Sequence, residues 1–178
     1  MVEVQQELLS KIRNVPNFPR QGIVFRDITT LLKDPKALRK VVDTFYEQYK
    51  DKRIDKVVCV ESRGFIFGAA LAYRLEAGFV PIRKTGKLPA RTLREEYTLE
   101  YGIDAIEVHA DAISRGERVL VHDDLLATGG TVQAACRLLE RLGSTISGVC
   151  FLIELSFLDG RSSLSGYDIF SILRYEQE

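Results

Sequence analysis

The stretch "RVLVHDDLLATGGT" (Arg118–Thr131) decides how this chain is read. It opens as an apolar run of strand length. It then sets two carboxylates side by side, Asp123 and Asp124, and turns to small residues and glycines from Ala127 to Thr131. The next segment, "TVQAACRLLERLG", repeats its apolar positions at helical spacing and stops at Gly143. Strand, turn and helix in that order form one unit of an open α/β sheet. In such sheets ligands bind beyond the carboxyl ends of the strands, so the turn is a site candidate.

On either side of this unit the same alternation recurs. "KVVCVE" (56–61) reads as a buried strand, broken by "SRG" and followed by the helix "FIFGAALAYRLE". "FVPIRK" (79–84), "ISGVCFLIEL" and "YDIFSILR" are further strands, and residues Pro35 to Tyr49 a helix with proline suited to its first turn. A short turn or helix is expected around Asp159 to Leu164. The pattern predicts an α/β fold with a central, mainly parallel sheet flanked by helices on both faces. The later part of the polar segment 85–101 and "DAIEVHA" are expected to pair as a hairpin. "NVPNFPRQGIVFRDIT" reads as an ordered loop because it contains Phe18, Ile23, Val24 and Phe25. Val4, Leu8 and Ile12 give the first segment the spacing of an amphipathic helix. Residues 1–178 are expected to form a single domain.

Composition narrows the function classes. With 178 residues and 46% hydrophobic content the chain can bury a substantial core. Basic and acidic residues balance at 25 each, so no overall field attracts nucleic acid or an anionic membrane. No apolar run reaches transmembrane length, and the first residues lack the apolar region of a secretory signal. Cys59, Cys136 and Cys150 are scattered through apolar segments, which argues against a disulfide framework or a zinc site. The expected setting is the cytoplasm, with no membrane and no nucleic-acid partner.

The turn has a physical reading of its own. Small side chains let a phosphate approach the backbone, and Gly129 and Gly130 allow successive N–H groups to point inward. The helix beginning near Thr131 adds unpaired N–H groups and the positive end of its dipole. Thr128 and Thr131 supply hydroxyls. Neither a Walker A loop nor a G-x-G-x-x-G fingerprint is present. Two adjacent carboxylates at a buried strand end are costly unless they receive hydrogen bonds or neutralise a cation. Vicinal ribose hydroxyls are suitable donors, so a sugar over Asp123 and Asp124 would have its 5′-phosphate in the cradle from Ala127 to Thr131.

"VLVHDDLLATGGT" resembles the phosphoribosyl-pyrophosphate motif of the type I phosphoribosyltransferases. "FPRQGIVFRDIT" (18–29), "ESRGFIFG" (61–68), "IRKTGKLP" (82–89) and "YTLEYG" (97–102) resemble, in the same order, segments of the adenine phosphoribosyltransferases. The resemblance implies purine salvage: adenine and phosphoribosyl pyrophosphate give AMP and pyrophosphate, with Mg²⁺ held mainly by substrate oxygens and no protein ligand to the metal named. It implies that residues 1–34 carry the base-recognition loop and residues 84–110 a mobile loop or hairpin over the site. Ser62, Arg63 and Gly64 correspond to the pyrophosphate loop, to which Arg83, Lys84 and Lys87 can add positive charge. Adenine is expected between Phe25 and Leu125, read through the backbone near Val24 and Arg26. Glu100, beside Tyr101, corresponds to the glutamate that handles the imidazole-ring proton, and Arg63 joins it in catalysis. A homodimer is implied as well. His122 and Glu61 depart from the usual residues at their positions; His122 is expected to be structural, and His109 to lie on the hairpin surface. The residues leave open transfer to another base, a 6-oxopurine or orotate, and a non-catalytic nucleic-acid-binding regulator on the same fold.

Overall fold

The computed structural model describes residues 2–99 and 102–177. A short helix α1 (Val2–Leu9) leads into strands β1 (Arg13–Pro16) and β2 (Val24–Asp27), then α2 (Thr29–Leu32) and α3 (Pro35–Tyr49). The alternating part comes next: β3 (Lys56–Val60), α4 (Gly64–Arg74), β4 (Gly78–Lys84), β5 (Thr92–Leu99), β6 (Gly102–His109), β7 (Arg118–Leu126), α5 (Gly130–Arg141), β8 (Thr145–Leu155) and β9 (Ile169–Tyr175). Two 3₁₀ turns, Ser156–Leu158 and Ser162–Leu164, join β8 to β9.

Seven strands form the central sheet in the order β5-β6-β4-β3-β7-β8-β9. The run from β4 to β9 is parallel, and β6 and β5 add an antiparallel hairpin at one edge. The mainly parallel α/β sheet expected from the sequence is therefore observed. Side chains alternate across it. Leu120 joins a core with Phe45 and Tyr49 of α3 and Phe67 and Leu71 of α4. Its neighbours Val119 and Val121 face a second core with Val132, Ala135, Leu138 and Leu139 of α5. Both faces of the sheet are covered, which is why the central strands read as continuous apolar runs. Asp34 caps α3 by accepting from the backbone N–H groups of Lys36 and Ala37, with Pro35 filling the position where an N–H would be unpaired.

Some expectations are corrected. The segment expected as an ordered loop contains a two-stranded sheet, β1 against β2, with Val15 opposite Phe25. Its strands are four residues each and are mostly not fully buried, so they carry little alternation to read. Helix α1 ends at Leu9, and Ile12 reaches the core from the turn beyond it. β7 does not stop at the acidic pair but runs on to Leu126, because β8 is long enough to continue pairing with it. His109 is only half exposed, and its Nε2 is buried without a hydrogen-bond partner. It closes β6 opposite Thr92, which draws it in from the hairpin surface.

Candidate active site

The site exists because neighbouring strands end at different heights. β3 accompanies β7 only as far as Cys59 opposite His122, whereas β8 accompanies it to Glu154 opposite Leu126. Beyond His122 one flank of β7 is free of β3, and residues Glu61 to Gly64 bend away there. The Glu61–Ser62 peptide is cis. Gly64 opens α4 directly against Asp123: a Cβ added to it would lie 3.0 Å from Oδ1 of Asp123. A side chain at 64 would thus press on the acidic pair.

A cavity of about 460 Å³ occupies this gap. Ser62, Arg63, Asp123, Asp124, Leu125 and Thr131 border it, with Phe25 and Lys84. These expected residues come from β2, the β3–α4 turn, β4, β7 and α5. A larger groove of about 860 Å³ runs along α3, but its charged residues Lys36, Arg39, Lys40, Asp43 and Glu47 all come from that one helix, and no strand-to-helix turn of the sheet borders it. An adjoining cavity of about 410 Å³, bordered by Thr128, Gly130, Gln133, Arg137 and Ser163, lies on the other side of the glycine turn. Tyr97 borders both.

The electrostatics are those of a site suited to a ligand. Burial pushes both carboxyls of the pair upward. Asp124 pushes Asp123 up further, whereas the Arg63 guanidinium opposes the rise at both. Asp123 Oδ1 accepts from the backbone N–H of Asp124 at 2.8 Å. Arg63 Nε stands 3.0 Å from Asp124 Oδ2, yet that oxygen is buried without an aligned hydrogen-bond donor. Buried acceptors are normally satisfied, so this one has capacity for a hydroxyl.

In the glycine turn, Gly129 adopts a left-handed conformation, φ +83°, and starts α5 without any side-chain cap. The first N–H groups of this helix remain for a ligand. Ala127, Thr128, Gly129, Gly130 and Thr131 form this turn and the start of α5.

Glu61 organises the opposite wall. Its Oε2 accepts from Arg83 Nε at 2.6 Å, and its Oε1 accepts from the backbone N–H of Lys84 at 3.0 Å. Burial would raise this carboxyl, but those donors more than offset it and hold it below its ordinary value. Arg83 is thereby fixed beside the Ser62–Gly64 turn. Lys84 Nζ is bonded to Asp104 and to Tyr97 Oη, so its charge is shared with the hairpin. Lys87 is exposed, and its carbonyl accepts from Arg83.

Phe25 packs edge-on against Phe18, ring centres 5.2 Å apart, and the Arg63 guanidinium lies 5.0 Å over its ring. Val24 and Arg26 flank it in β2. The Arg26 side chain is buried elsewhere, donating to Asn14 and covering the ring of Tyr175, so only its backbone could serve a base. His122 sits in the core against Phe45, its Nδ1–H donating to the carbonyl of Cys150 at 3.1 Å. Burial lowers its pKa to about 4, which leaves a neutral imidazole. Glu100 and Tyr101 lie outside the described residues.

Some bordering residues were not anticipated. Val60, Tyr97 and Ile106 line the first cavity, and Gln133, Arg137 and Ser163 the second. Gln133 and Arg137 come after the glycine turn at helical spacing, the one signal that could have found them. Ser163 lies in a distant segment and gave none.

This architecture defines a class. A family model described as "Phosphoribosyl transferase domain" matches residues 27–165, and the chain belongs to that family. The relatives narrow it. The adenine phosphoribosyltransferase of Acidobacterium capsulatum is 54% identical over 97% of this chain and 95% of its own. That of Thermotoga neapolitana is 53% identical over 95% and 99%. Among solved structures, the adenine phosphoribosyltransferase of Thermoanaerobacter pseudethanolicus superposes with a TM-score of 0.94 at 50% identity, covering 96% of this chain and 99% of the other. The Saccharomyces cerevisiae enzyme, complexed with an imino-altritol bisphosphate and adenine, gives 0.92 at 40% identity, covering 97% and 100%. Within the phosphoribosyl transferases, the chain belongs with the adenine phosphoribosyltransferases.

Proposed function

We propose that the protein transfers the phosphoribosyl group of phosphoribosyl pyrophosphate to adenine, giving AMP and pyrophosphate in purine salvage. The observation that carries this is an acidic pair with an unsatisfied oxygen that shares one cavity with Phe25, Arg63 and Thr131, beside an uncapped helix start that also borders the adjoining cavity. In this reading Asp123 and Asp124 accept the ribose hydroxyls and residues Ala127 to Thr131 bind the 5′-phosphate. Ser62, Arg63 and Gly64, with Arg83, Lys84 and Lys87 nearby, receive the pyrophosphate. Breaking the bond at C1 builds negative charge on that leaving group, which cations and backbone donors stabilise. Adenine lies between Phe25 and Leu125, with backbone groups near Val24 and Arg26 matching its donor and acceptor. A 6-oxopurine presents an acceptor where adenine presents a donor, leaving buried groups unpaired.

Glu100 is assigned the imidazole-ring proton, a role that contributes roughly 10²–10⁴-fold when the group is well placed. It belongs with Tyr101 to the hairpin segment, residues 84–110, which we read as a mobile cover that excludes water. Mg²⁺ is assigned mainly to substrate oxygens, with no protein ligand named; the acidic pair beside them, with Asp124 Oδ2 buried and without an aligned donor although Arg63 Nε is 3.0 Å away, suits a bound cation. When bound, the ion would neutralise pyrophosphate charge. A homodimer is supported by the apolar side chains exposed on α4 and β4, namely Ile66, Tyr73 and Phe79. Three free, buried thiols are compatible with a cytoplasmic setting.

The test is conversion of radiolabelled adenine to AMP with phosphoribosyl pyrophosphate, with and without Mg²⁺. Turnover of hypoxanthine or guanine with none of adenine would sink the assignment.

A further inference from the structure

We propose that Arg161 is a positioning residue for phosphate binding, acting through Glu154 to hold residues 156–164 as a backstop that sets the shape of the Ala127–Thr131 cradle. The inference rests on the reading of that cradle as the 5′-phosphate site.

A cradle made of backbone N–H groups binds well only if its curvature is fixed. Here no side chain caps the helix, so the curvature depends on the segment packed behind the turn. That segment is the β8–β9 connection. A Cβ on Gly129 would lie 2.6 Å from the carbonyl oxygen of Gly160 and 3.0 Å from Ser163 Cβ. A Cβ on Gly160 would collide in turn with the carbonyl of Ala127. The two glycines thus let two backbone segments meet directly. Ser163 Oγ donates to the carbonyl of Thr128 at 2.8 Å, and Gln133 Nε2 donates to the carbonyl of Ser163 at 2.7 Å. Three residues of the turn and one of the adjoining helix are therefore gripped from behind.

The connection has little hydrophobic hold of its own. Of residues 156–164, only Gly160 and Leu164 are buried, and Phe157, Leu158 and Asp159 are exposed. Its anchor is the two-pronged contact of Arg161 with Glu154, Nε to Oε1 at 2.7 Å and Nη2 to Oε2 at 2.8 Å. Glu154 is buried on β8 directly across from Leu126, the last strand residue before the cradle. Arg174 stands 3.4 Å from the same carboxylate but makes only the weaker contact. A planar guanidinium fixes both oxygens at once, which a point charge cannot do. Arg161 borders neither cavity in which the reactants would sit.

The test compares ligands that differ only in the phosphate. Affinities for AMP and for adenosine are measured by calorimetry on the full-length wild type, Arg161→Met and Arg161→Lys. For Arg161→Met the AMP affinity is expected to fall about tenfold while adenosine changes less than about twofold, the size of one lost charged contact. KM for phosphoribosyl pyrophosphate should rise with kcat nearly unchanged. Arg161→Lys should fall between, retaining charge without the fork. An unchanged ratio of AMP to adenosine affinity in Arg161→Met, with only a lower melting temperature, would overturn the proposal and leave Arg161 a stabilising residue. If Arg161→Met fails to fold, Arg161→Lys decides, because residue 161 borders neither cavity whereas Ser163 borders the second: a reduced ratio supports the backstop and an unchanged one overturns it. A wild type that binds adenosine as tightly as AMP would overturn the phosphate assignment itself, and this proposal with it.

Discussion

Arg63 Nε lies 3.0 Å from Oδ2 of Asp124, and the same guanidinium lies 5.0 Å over the ring of Phe25. One side chain thus links the wall assigned to the base with the carboxylate assigned to the sugar. Its neighbours in sequence are assigned to pyrophosphate. Asp124→Asn removes the charge that both Arg63 and a ribose hydroxyl would use. The expected loss is roughly 1.5–3 kcal/mol of phosphoribosyl pyrophosphate binding, or about ten- to a hundredfold in KM. Steady-state kinetics read it directly; unchanged constants would place the sugar elsewhere.

The raised carboxyls of Asp123 and Asp124 give a pH dependence with a defined sign. Hydroxyl donors and cations favour the ionised pair, so binding phosphoribosyl pyrophosphate should expel protons, and affinity should rise with pH until the free protein has ionised too. Stability runs the other way. A carboxyl whose folded pKa exceeds its unfolded value stabilises the protein below the unfolded pKa, and that contribution disappears as pH rises through the folded one. Asp123→Asn should therefore raise the melting temperature of the ligand-free protein at neutral pH, by ~2–4 °C for each ~1 kcal/mol recovered, while weakening the sugar donor. Calorimetry in two buffers of different protonation enthalpy measures the proton release. Heats that do not depend on the buffer would count against it.

Gly129→Val combines two faults, a β-branched residue at φ +83° and a Cβ 2.6 Å from a carbonyl oxygen. Left-handed strain alone costs of order 1–3 kcal/mol. Gly116→Val is the control, with φ +86° and no atom within 4 Å of its Cβ. Both should melt lower, but only the change at 129 should also abolish tight binding of AMP. Equal AMP affinities in the two variants would exclude a cradle at 129.

Phe25→Leu removes a ring that contacts Phe18 and Arg63. Aromatic and cation–π contacts of this kind contribute about 0.5–1.5 kcal/mol each. The KM for adenine should rise several-fold with that for phosphoribosyl pyrophosphate little changed. A lower melting temperature with normal adenine kinetics would show that Phe25 only pins β2.

Glu100→Gln should lower kcat more than it weakens adenine binding, as expected of a proton-handling group. A pure KM effect would remove it from the chemistry.

Much of this site was legible in the chain because its chemistry is local. Asp123, Asp124 and the Ala127–Thr131 turn are adjacent in sequence, and the continuous apolar run from Val119 to Val121, followed by the helical period of α5, exposes the strand–turn–helix unit. Gly129 could be read because a left-handed residue at a helix start favours glycine. Three free cysteines and His122 in the core also emerged from the residues around them.

Only the tertiary structure decided the rest. β7 extends past its acidic pair because β8 happens to be longer than β3. Glu61 reaches across 22 residues to Arg83, and Arg137 across 42 to Glu95 of the hairpin. Ser163 closes on Thr128 from 35 residues away. Hydrophobic period and turn chemistry act between neighbours in the chain and leave a pattern there. Ion pairs and backbone contacts between distant segments form only after packing brings them together, so no local pattern announces them.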